Sequence, residues 1–431
     1  MLGTWNFLKK AGGDMVADSR EIRVLHTSDW HIGRMLFGKK RYKEHEAFLK
    51  WLVTTIRERE VEVLLVAGDI FDTNTPSNRA QQIYYRFLFE VAATGCRHVV
   101  VTGGNHDSPT FLNAPRELLR ALNIYVVGSA CDDPSEEVLV LRGLDGEPEM
   151  VVCAVPYLRD RDVRQAEAGE DSATKQQRLL NGIREHYEAV AQVAETRVTE
   201  AGRRVPVVAM GHLFTEGGEV TEGDGVRELY IGSLAQVAPG SFPAVFDYVA
   251  LGHLHRAQEV KEVAARYSGA PLAMGFGEAN RKKSVTLLTF ANEAATPGVE
   301  LVEVPVYQRL ARVAGGWESI SRQLSELCRS GQSVWLDVVY NGSELMGDLR
   351  ERLEETVTGS ALEILRITNT RATREMLALS AVDETLDILK VDDVFERCLN
   401  ANQVLDDQRE ELINTYREAV VSLEEDDIRA E

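Results

Sequence analysis

The amino-acid sequence predicts an α/β fold. Apolar runs of strand length alternate with amphipathic stretches of helical period through the first half of the chain. Short motifs of histidine and carboxylate residues follow several of these runs, which is typical of sites at the carboxyl ends of strands. A further β-α-β-α-β pattern occupies residues 304–375. This alternation favours a sheet with helices over both faces.

The first third of the chain predicts three strands and three helices. In order, they are a strand at 22–25, a helix at 44–59, a strand at 61–67, a helix at 77–93, a strand at 98–102 and a helix at 109–122. The last helix is predicted from Ser108-Pro109, which is typical of an N-cap followed by a first-turn proline.

The middle of the chain predicts more sheet and one long helix. In order, the elements are a strand at 150–155, a helix at about 174–200, strands at 205–210 and 246–251, and further sheet across 267–290. The strands at 205–210 and 246–251 each run directly into a histidine motif. All the motifs considered below therefore follow predicted strands.

Four segments are predicted along the chain. They are an N-terminal extension at 1–20, a large domain at 21–300, a small domain at 304–375 and an acidic helical segment at 380–431. The extension has no hydrophobic periodicity. The small domain has its own strands, predicted at 307–313, 334–340 and 362–367, with amphipathic helices between them.

Composition is that of an ordinary globular protein, with 44% hydrophobic and 27% charged residues in 431. No apolar run approaches the length of a membrane span, so no membrane association is expected. The five cysteines are far apart and none has zinc-type spacing, which favours reduced cysteines in a cytoplasmic protein. The net charge of −20 is uneven, because residues 381–431 carry 16 Asp and Glu against 5 Lys and Arg. Overall acidity is therefore weak evidence against a phosphate-backbone substrate.

Five short motifs supply hard metal ligands in a fixed order. They are Asp29-Trp30-His31, Gly68-Asp69, Gly104-Asn105-His106-Asp107, Gly211-His212 and Gly252-His253-Leu254-His255. Each alone has an ordinary explanation, such as a turn, a capping aspartate or a partly buried histidine. Together, each at a strand end, they predict one site that holds two metal ions.

Such a site suits the hydrolysis of phosphate esters. The reaction needs a nucleophile at neutral pH and neutralisation of charge on the phosphate oxygens, and two neighbouring cations provide both. Imidazole, carboxylate and amide oxygen suit Mn²⁺, Mg²⁺ or Fe better than ions that prefer thiolate. None of the cysteines lies in a motif. We therefore expect two divalent ions, Mn²⁺ first and Mg²⁺ as the alternative.

The motifs resemble those of the calcineurin-like metallophosphoesterases, and within them a branch of bacterial nuclease subunits. The similar segments are 26–33, 67–73, 104–108 and 250–257, and the resemblance extends over about 22–420. It implies a β-sandwich flanked by helices, followed by a small capping domain and C-terminal helices.

The resemblance also implies a role for each site residue. One ion would be held by Asp29, His31, Asp69 and His255, and the other by Asp69, Asn105, His212 and His253, with Asp69 bridging. His106 would face the scissile phosphate and help the leaving oxygen to depart, and Asp107 would orient His106. Asp72 stands where the archaeal and eukaryotic branch carries histidine, and its role stays open.

Contacts with DNA and with other chains are predicted at three places. A basic cluster with interleaved aromatics, Arg34, Lys39, Lys40, Arg41 and Lys43, could follow a DNA backbone. It could equally be a solvated loop. The resemblance implies that an apolar stripe, Leu412, Ile413, Tyr416 and Val420, docks on a coiled-coil ATPase, although it could pack on its own domain. It also implies a homodimer through the helices at 77–93 and 109–122, for which core packing is the alternative.

The expected function is that of a Mn²⁺-dependent DNA nuclease. It would act as a 3′→5′ exonuclease on duplex ends and as an endonuclease on single strands or hairpins, with a partner ATPase controlling access. A small-molecule phosphodiesterase or a protein phosphatase is the first alternative, although the phosphatases carry Arg where Thr73 follows Asp72. A non-catalytic scaffold is the second.

Overall fold

The computed structural model describes residues 21–163, 172–219, 236–261, 264–291, 296–342, 346, 348–370, 399 and 409. The chain divides into two compact units, Met1–Arg312 with Gln332–Leu336, and Val313–Gly331 with Asp337–Glu431. The predicted extension at 1–20 lies outside the described residues, as does almost all of the helical segment at 380–431. Among the described residues, no helix combines the length and the apolar character that crossing a membrane requires.

Strands and helices alternate from the start of the described chain. The strands are β1 (Ile22–Thr27), β2 (Met35–Leu36), β3 (Lys39–Lys40), β4 (Val63–Ala67), β5 (His98–Thr102), β6 (Ile124–Val127), β7 (Val138–Arg142), β8 (Pro148–Ala154), β9 (Val207–His212), β10 (Tyr248–Gly252), β11 (Gln258–Val260), β12 (Ala265–Tyr267), β13 (Lys283–Phe290), β14 (Gly298–Val304), β15 (Arg309–Gly315), β16 (Val334–Tyr340) and β17 (Leu362–Asn369). The helices are α1 (Tyr42–Glu58), α2 (Asn78–Ala92), α3 (Pro109–Asn113), α4 (Arg116–Arg120), α5 (Asp160–Val163), α6 (Ser172–Ala201), α7 (Trp317–Arg329) and α8 (Leu349–Val357).

Two six-stranded sheets form the larger unit. One has the order β14-β13-β1-β4-β5-β6 and the other the order β11-β12-β10-β9-β8-β7. Within the first, β1, β4, β5 and β6 are parallel, and within the second, β8, β9, β10 and β12 are parallel. The carboxyl ends of the parallel strands in each sheet therefore lie at one edge of that sheet.

The two sheets pack face to face, because alternate residues of each strand enter different apolar layers. In β4, Val63 and Leu65 join a layer shared with Val208 and Met210 of β9, between the sheets. Leu64 of the same strand instead packs against α1 and α2. On the far side of the second sheet, a third layer joins α6 to β8, β9 and β10. The predicted sandwich flanked by helices is confirmed. The expectation of a sheet with helices over both faces was wrong, because the inner face of each sheet packs against the other sheet.

Burial on both faces explains why the central strands are apolar throughout. All five residues of β4 and all five of β10 are buried. The helices are amphipathic instead. In α1 the buried face includes Phe48, Leu52 and Ile56. The Ser77 side chain caps α2 by accepting a hydrogen bond from the Ala80 amide.

Two predicted elements differ from the structure. The helix predicted over 109–122 is broken into α3 and α4, because Pro115 cannot supply the amide that a continuous helix needs. Ser108 does cap its start, accepting a hydrogen bond from the Phe111 amide. Sheet was predicted across 267–290, but β12 ends at Tyr267 and β13 begins only at Lys283.

The smaller three-stranded sheet has the order β15-β16-β17, with α7 and α8 in the connections. This is the predicted β-α-β-α-β succession of elements. The buried faces of the two helices carry Ile320 and Leu324 in α7, and Leu353 in α8. In the sheet, Arg366 donates a hydrogen bond to the buried carboxylate of Asp337.

Candidate metal centre

The five motifs meet at one end of the sandwich. They lie at the carboxyl ends of β1, β4 and β5 of the first sheet and of β9 and β10 of the second. Every predicted metal ligand except Asn105 is buried. The site is therefore assembled from both sheets, and no single strand or hairpin could form it alone.

Four of the converging residues adopt a backbone conformation that side chains rarely take. The φ angles are 53° for Asp29, 46° for His31, 52° for Asp69 and 96° for His253. This left-handed region costs roughly 1–2 kcal/mol per residue without glycine. Main-chain hydrogen bonds hold it in place: the Asp29 amide donates to the Gly68 carbonyl and the His31 amide to the Asp69 carbonyl, each at 3.0 Å. The sharp turns direct the side chains away from the strand axes and into the site.

Gly104 allows the β5 loop to approach the β4 loop. A Cβ atom at this position would overlap the carboxylate and the main-chain amide of Asp69. Glycine is therefore needed here for space, and its φ is not in the left-handed region. The close approach places Asn105 and His106 beside Asp69.

Three side chains form the first cluster of possible ligands, Asp29, His31 and His255. One ligand atom from each lies within 4.8 Å of the others. The Nε2 atoms of His31 and His255 are 3.2 Å apart. Asp69 Oδ2 lies 3.5 Å from His31 Nε2. Asp29 is held by hydrogen bonds from the Ser28 hydroxyl and the His253 amide.

The second cluster contains Asp69, Asn105, His212 and His253. Asn105 Oδ1 lies 3.1 Å from His212 Nε2 and 3.1 Å from His253 Nδ1. Asp69 Oδ2 is 3.3 Å from His212 Nε2. The same carboxylate oxygen thus lies between His31 and His212, which is where a bridging ligand would be. The structure brings all seven predicted ligands together in these two clusters.

The charged groups at this site shift the pKa values of one another. Burial works to raise the pKa of Asp69, but the charges of His212 and His31 hold it well below its usual range. Burial opposes protonation of His212, yet the adjacent Asp69 raises its pKa to about 9. Burial and the nearby His212 lower the pKa of His253 to about 3. Nitrogen and oxygen donors that converge in this way, away from water, fit divalent cations of the Mn²⁺ and Mg²⁺ type.

His106 borders the two clusters. Its Nδ1 atom is 2.9 Å from the Asp72 carbonyl oxygen, to which it donates, so Nε2 is left free to face a substrate. The His106 amide donates to Asp69 Oδ1. Burial lowers the pKa of this histidine. One possible ligand atom of His106 also lies within 4.8 Å of those of His31 and Asp69, so its position alone is compatible with a ligand role as well.

Asp107 was predicted to orient His106, but it is the Asp72 carbonyl that holds the His106 ring. The Asp107 carboxylate instead accepts hydrogen bonds from the amides of Ile70, Phe71 and Gly104. It therefore ties the β4 loop to the β5 loop. Burial and the nearby Asp69 charge raise the pKa of Asp107 to about 6.

Asp72 and Arg34 contribute contacts that the sequence reasoning did not assign. Asp72 Oδ1 lies 3.3 Å from His31 Nδ1 and 3.1 Å from Arg34 Nη1. A carboxylate on the far nitrogen of a ligating histidine fixes both its tautomer and its orientation. Asp72 follows Asp69 by three residues, and this spacing, with its position where the archaeal and eukaryotic branch carries histidine, was the signal in the sequence. The Ala67 carbonyl holds His212 Nδ1 in the same manner.

The predicted basic cluster separates into two groups. Arg41 is buried, with both guanidinium edges engaged by Glu44 and by the Ala273 carbonyl, so the prediction that it contacts DNA was wrong. Lys40 and Lys43 are exposed, and Lys39 is half-buried. Arg34 is half-buried and bonded to Asp72 as described above. The predicted partner contacts, Leu412, Ile413, Tyr416 and Val420, lie outside the described residues.

Comparison with known proteins identifies the class of the chain. Residues 22–257 match the family model described as calcineurin-like phosphoesterase. Residues 306–403 match the model described as type 5 capsule protein repressor C-terminal domain. The chain therefore belongs to the calcineurin-like phosphoesterase family, whose members use divalent metal ions.

Curated relatives place the chain more narrowly. It is 37% identical to the SbcD component of nuclease SbcCD from Escherichia coli (strain K12), over 92% of this chain and 97% of the relative. The corresponding SbcD proteins of Rhodobacter capsulatus and Bacillus subtilis are 35% and 33% identical, over 65% and 74% of this chain and 69% and 78% of the relatives. The chain is thus a member of the SbcD family, and it is a metal-dependent phosphodiesterase of the nuclease type.

Proposed function

We propose that this chain is a Mn²⁺-dependent DNA nuclease with a two-ion site. The observation that carries the proposal is the position of Asp69 Oδ2, 3.5 Å from His31 Nε2 in one cluster and 3.3 Å from His212 Nε2 in the other. One carboxylate shared by two sets of nitrogen and oxygen donors is the arrangement that a pair of divalent ions requires.

The proposed ligands divide between the two clusters. Asp29, His31, Asp69 and His255 would hold one ion, and Asp69, Asn105, His212 and His253 the other. Mn²⁺ is the proposed metal in both positions, with Mg²⁺ as the alternative. When bound, the ions supply Lewis acidity that activates water and offsets charge on the phosphate.

His106 is the proposed catalytic residue. Its Nδ1 proton is held by the Asp72 carbonyl, so the ring cannot rotate freely and Nε2 keeps one direction. In the protonated form, Nε2–H can donate to the departing oxygen of the substrate and stabilise its charge. Asp107 supports this role indirectly, because it fixes the loop on which His106 lies.

The proposed substrate is DNA. The chain would degrade duplex ends in the 3′→5′ direction and cut single strands or hairpins internally. Its relatives are named nucleases. The exposed Lys40 and Lys43 follow the first motif and can attract a phosphate backbone.

The proposed assembly is with an SbcC-type coiled-coil ATPase, which would control access of duplex ends. The relatives are named as one component of SbcCD, and this name supports a two-component complex. A homodimer of this chain within a heterotetramer is the proposed stoichiometry. We expect the complex to act in DNA end processing, repair, recombination and replication in the cytoplasm, where free thiols such as those of Cys96 and Cys153 persist.

The His106→Ala variant tests the central claim. We expect Mn²⁺ binding by calorimetry to be retained and cleavage of single-stranded DNA to fall by about 10²–10⁴-fold, the usual contribution of a proton donor. His98→Gln is the matched control. It lies at the opposite end of β5, and glutamine can still donate to the Arg142 carbonyl that His98 contacts.

Three results would contradict the proposal. Unchanged cleavage by His106→Ala would remove its catalytic role, and loss of Mn²⁺ would make it a ligand. Hydrolysis of a small aryl phosphodiester without any cleavage of DNA would replace the nuclease with a small-molecule phosphodiesterase. Duplexes labelled at the 3′ or the 5′ end separately report the direction of degradation.

A further inference from the structure

A short hairpin next to the metal centre has an unusual tip. Strands β2 and β3 pair Met35 with Lys40 and Leu36 with Lys39, which leaves Phe37-Gly38 as a two-residue loop. The φ angles of the loop residues are 46° and 79°. Positive φ at both positions is the requirement of a type I′ turn, in which Asn-Gly is the favoured pair.

Phenylalanine is a costly choice for the first loop position. A bulky residue in the left-handed region is a genuine outlier, whereas asparagine or glycine would form the same turn with less strain. The turn itself therefore does not explain Phe37. Strained residues of this kind cluster at ligand contacts, where the surroundings hold them in place.

The Phe37 ring is both exposed and braced. It is 49% exposed, and the neighbouring Met35 is 56% exposed. The ring stacks on Phe276, with centroids 5.7 Å apart and planes at 27°. Phe276 is buried and fixes one side of the ring. The accessible surface is thus a flat aromatic group that does not need to be ordered when a ligand arrives.

The hairpin is connected directly to the proposed metal site. Arg34 at its base is bonded to Asp72, which in turn contacts His31. The two extended residues Met35 and Leu36 separate Arg34 from Phe37, which gives a span of about 10 Å between the Cα atoms of Arg34 and Phe37. This distance corresponds to roughly three stacked nucleotides at 3.4 Å each.

The charge around the tip suits a polyanion. Lys40 and Lys43 are exposed on the same segment of chain, although the chain as a whole has a net charge of −20. An aromatic platform with adjacent cations is the combination that binds unpaired nucleotides. A purely apolar partner would not require the lysines.

We propose that Phe37 is a stacking platform for an unpaired base of the DNA strand that enters the metal centre. The base would lie on the exposed ring while the phosphates on either side contact Lys40 and Lys43. Phe37 would thereby favour ends and loops with unpaired nucleotides over fully paired duplex. The inference rests on the proposed nuclease function and specifies the form of its substrate.

The Phe37→Asn variant tests this role without removing the turn, because asparagine accepts positive φ. Phe37→Tyr keeps the aromatic ring. Leu144→Asn is the control, since Leu144 is also an exposed apolar residue, lies in the loop between β7 and β8, and is 83% exposed. A single-stranded oligonucleotide with 2-aminopurine near its 3′ end reports stacking as quenched fluorescence, with Ca²⁺ replacing Mn²⁺ to prevent cleavage.

We expect Phe37→Asn to abolish the quenching and to weaken oligonucleotide binding by about 5- to 150-fold, the range of base–aromatic stacking. Phe37→Tyr should keep the quenching and the affinity of the wild type, and so should Leu144→Asn. With Mn²⁺, the ratio of oligonucleotide cleavage to hydrolysis of bis(p-nitrophenyl) phosphate should fall only in Phe37→Asn.

Two results would overturn the inference. One is an affinity and quenching of Phe37→Asn equal to those of Leu144→Asn, which would make the ring a packing element only. The other is a Phe37→Asn variant that binds the oligonucleotide normally but no longer binds a partner ATPase, which would make the hairpin a protein-docking surface. Failure of the wild type to cleave any DNA is a separate result, and it would refute the proposed function itself.

Discussion

Replacing Asp72 with asparagine should weaken the binding of one metal ion without disturbing the fold. The Asp72 carboxylate lies 3.3 Å from His31 Nδ1 and 3.1 Å from Arg34 Nη1, at the edge of the site. It would not bind an ion itself. Its expected effect is to hold the His31 ring so that Nε2 faces the ion, and to raise the basicity of that nitrogen.

The pKa of Asp72 shows that the carboxylate form is favoured at this position. Burial works to raise it, but interactions with His31 and Arg34 lower it from 3.8 to about 2. Carboxylates that support a ligating histidine contribute about 10- to 100-fold to metal affinity, so we expect Asp72→Asn to weaken binding by a factor in this range.

Calorimetric titration of the metal-free protein with Mn²⁺ measures the effect for each ion. We expect one binding step of Asp72→Asn to weaken while the other is nearly unchanged. Asp145→Asn is the matched control, because it makes the same substitution in an exposed turn and asparagine can still accept from the Glu147 amide. A dissociation constant for Asp72→Asn within twofold of the control at both steps would refute the reasoning.

Three further predictions concern the close packing of Gly104 on Asp69, the stability of the fold in acid and a buried ion pair. Gly104→Ala should abolish Mn²⁺ binding because its Cβ would displace Asp69, whereas Gly95→Ala, whose Cβ meets no atom within 4 Å, should bind normally in the same titration. Burial and a neighbouring arginine lower the pKa of His45 from 6.5 to about 4. The carbonyl oxygens of Arg41 and Trp30 face the two ring nitrogens and oppose this shift, so at most roughly 3 kcal/mol should be lost as the pH falls from 6.5 to 4. The free energy of urea unfolding should depend less on pH in His45→Gln than in the wild type over that range. An identical loss of stability at acid pH in both proteins would contradict the role given to His45. Arg41→Met should lower the free energy of unfolding by about 3–5 kcal/mol, because its partner carboxylate is left buried and unpaired. The salt dependence of DNA binding should not change; a weaker dependence with normal stability would restore the prediction of a DNA contact at Arg41.

The sequence was most informative where strands are buried on both faces. The predicted bounds of β5, which is buried throughout, agree with the structure, because an apolar run between turn signals leaves little choice of register. The predicted bounds of β16 agree as well. β14 was not predicted, although it contains the apolar residues Val299, Leu301 and Val304; its first four residues are exposed in the structure. The division into two sheets could not be derived from periodicity, because a strand face covered by a helix looks the same as one covered by a second sheet.

The candidate site shows a similar limit. The motifs predicted which residues would converge, because ligand type and position at strand ends are visible in the sequence. They could not predict that Asp29 and His253 take positive φ, since those angles are imposed by contacts between distant loops. The burial of Arg41 was also hidden, because its partner carbonyl at Ala273 lies 232 residues further along the chain.

The distribution of ligands over both sheets has a consequence for how the protein is built. His31 reaches His255, and Asp69 reaches His212, across the gap between the two layers. Bound cations would cross-link the two sheets and so resist sliding of one sheet over the other. Neither ion could be held by a nascent chain until Gly252 and the histidines after it have emerged and docked. With the proposed ligands, such a nuclease would stay inert until both sheets have folded.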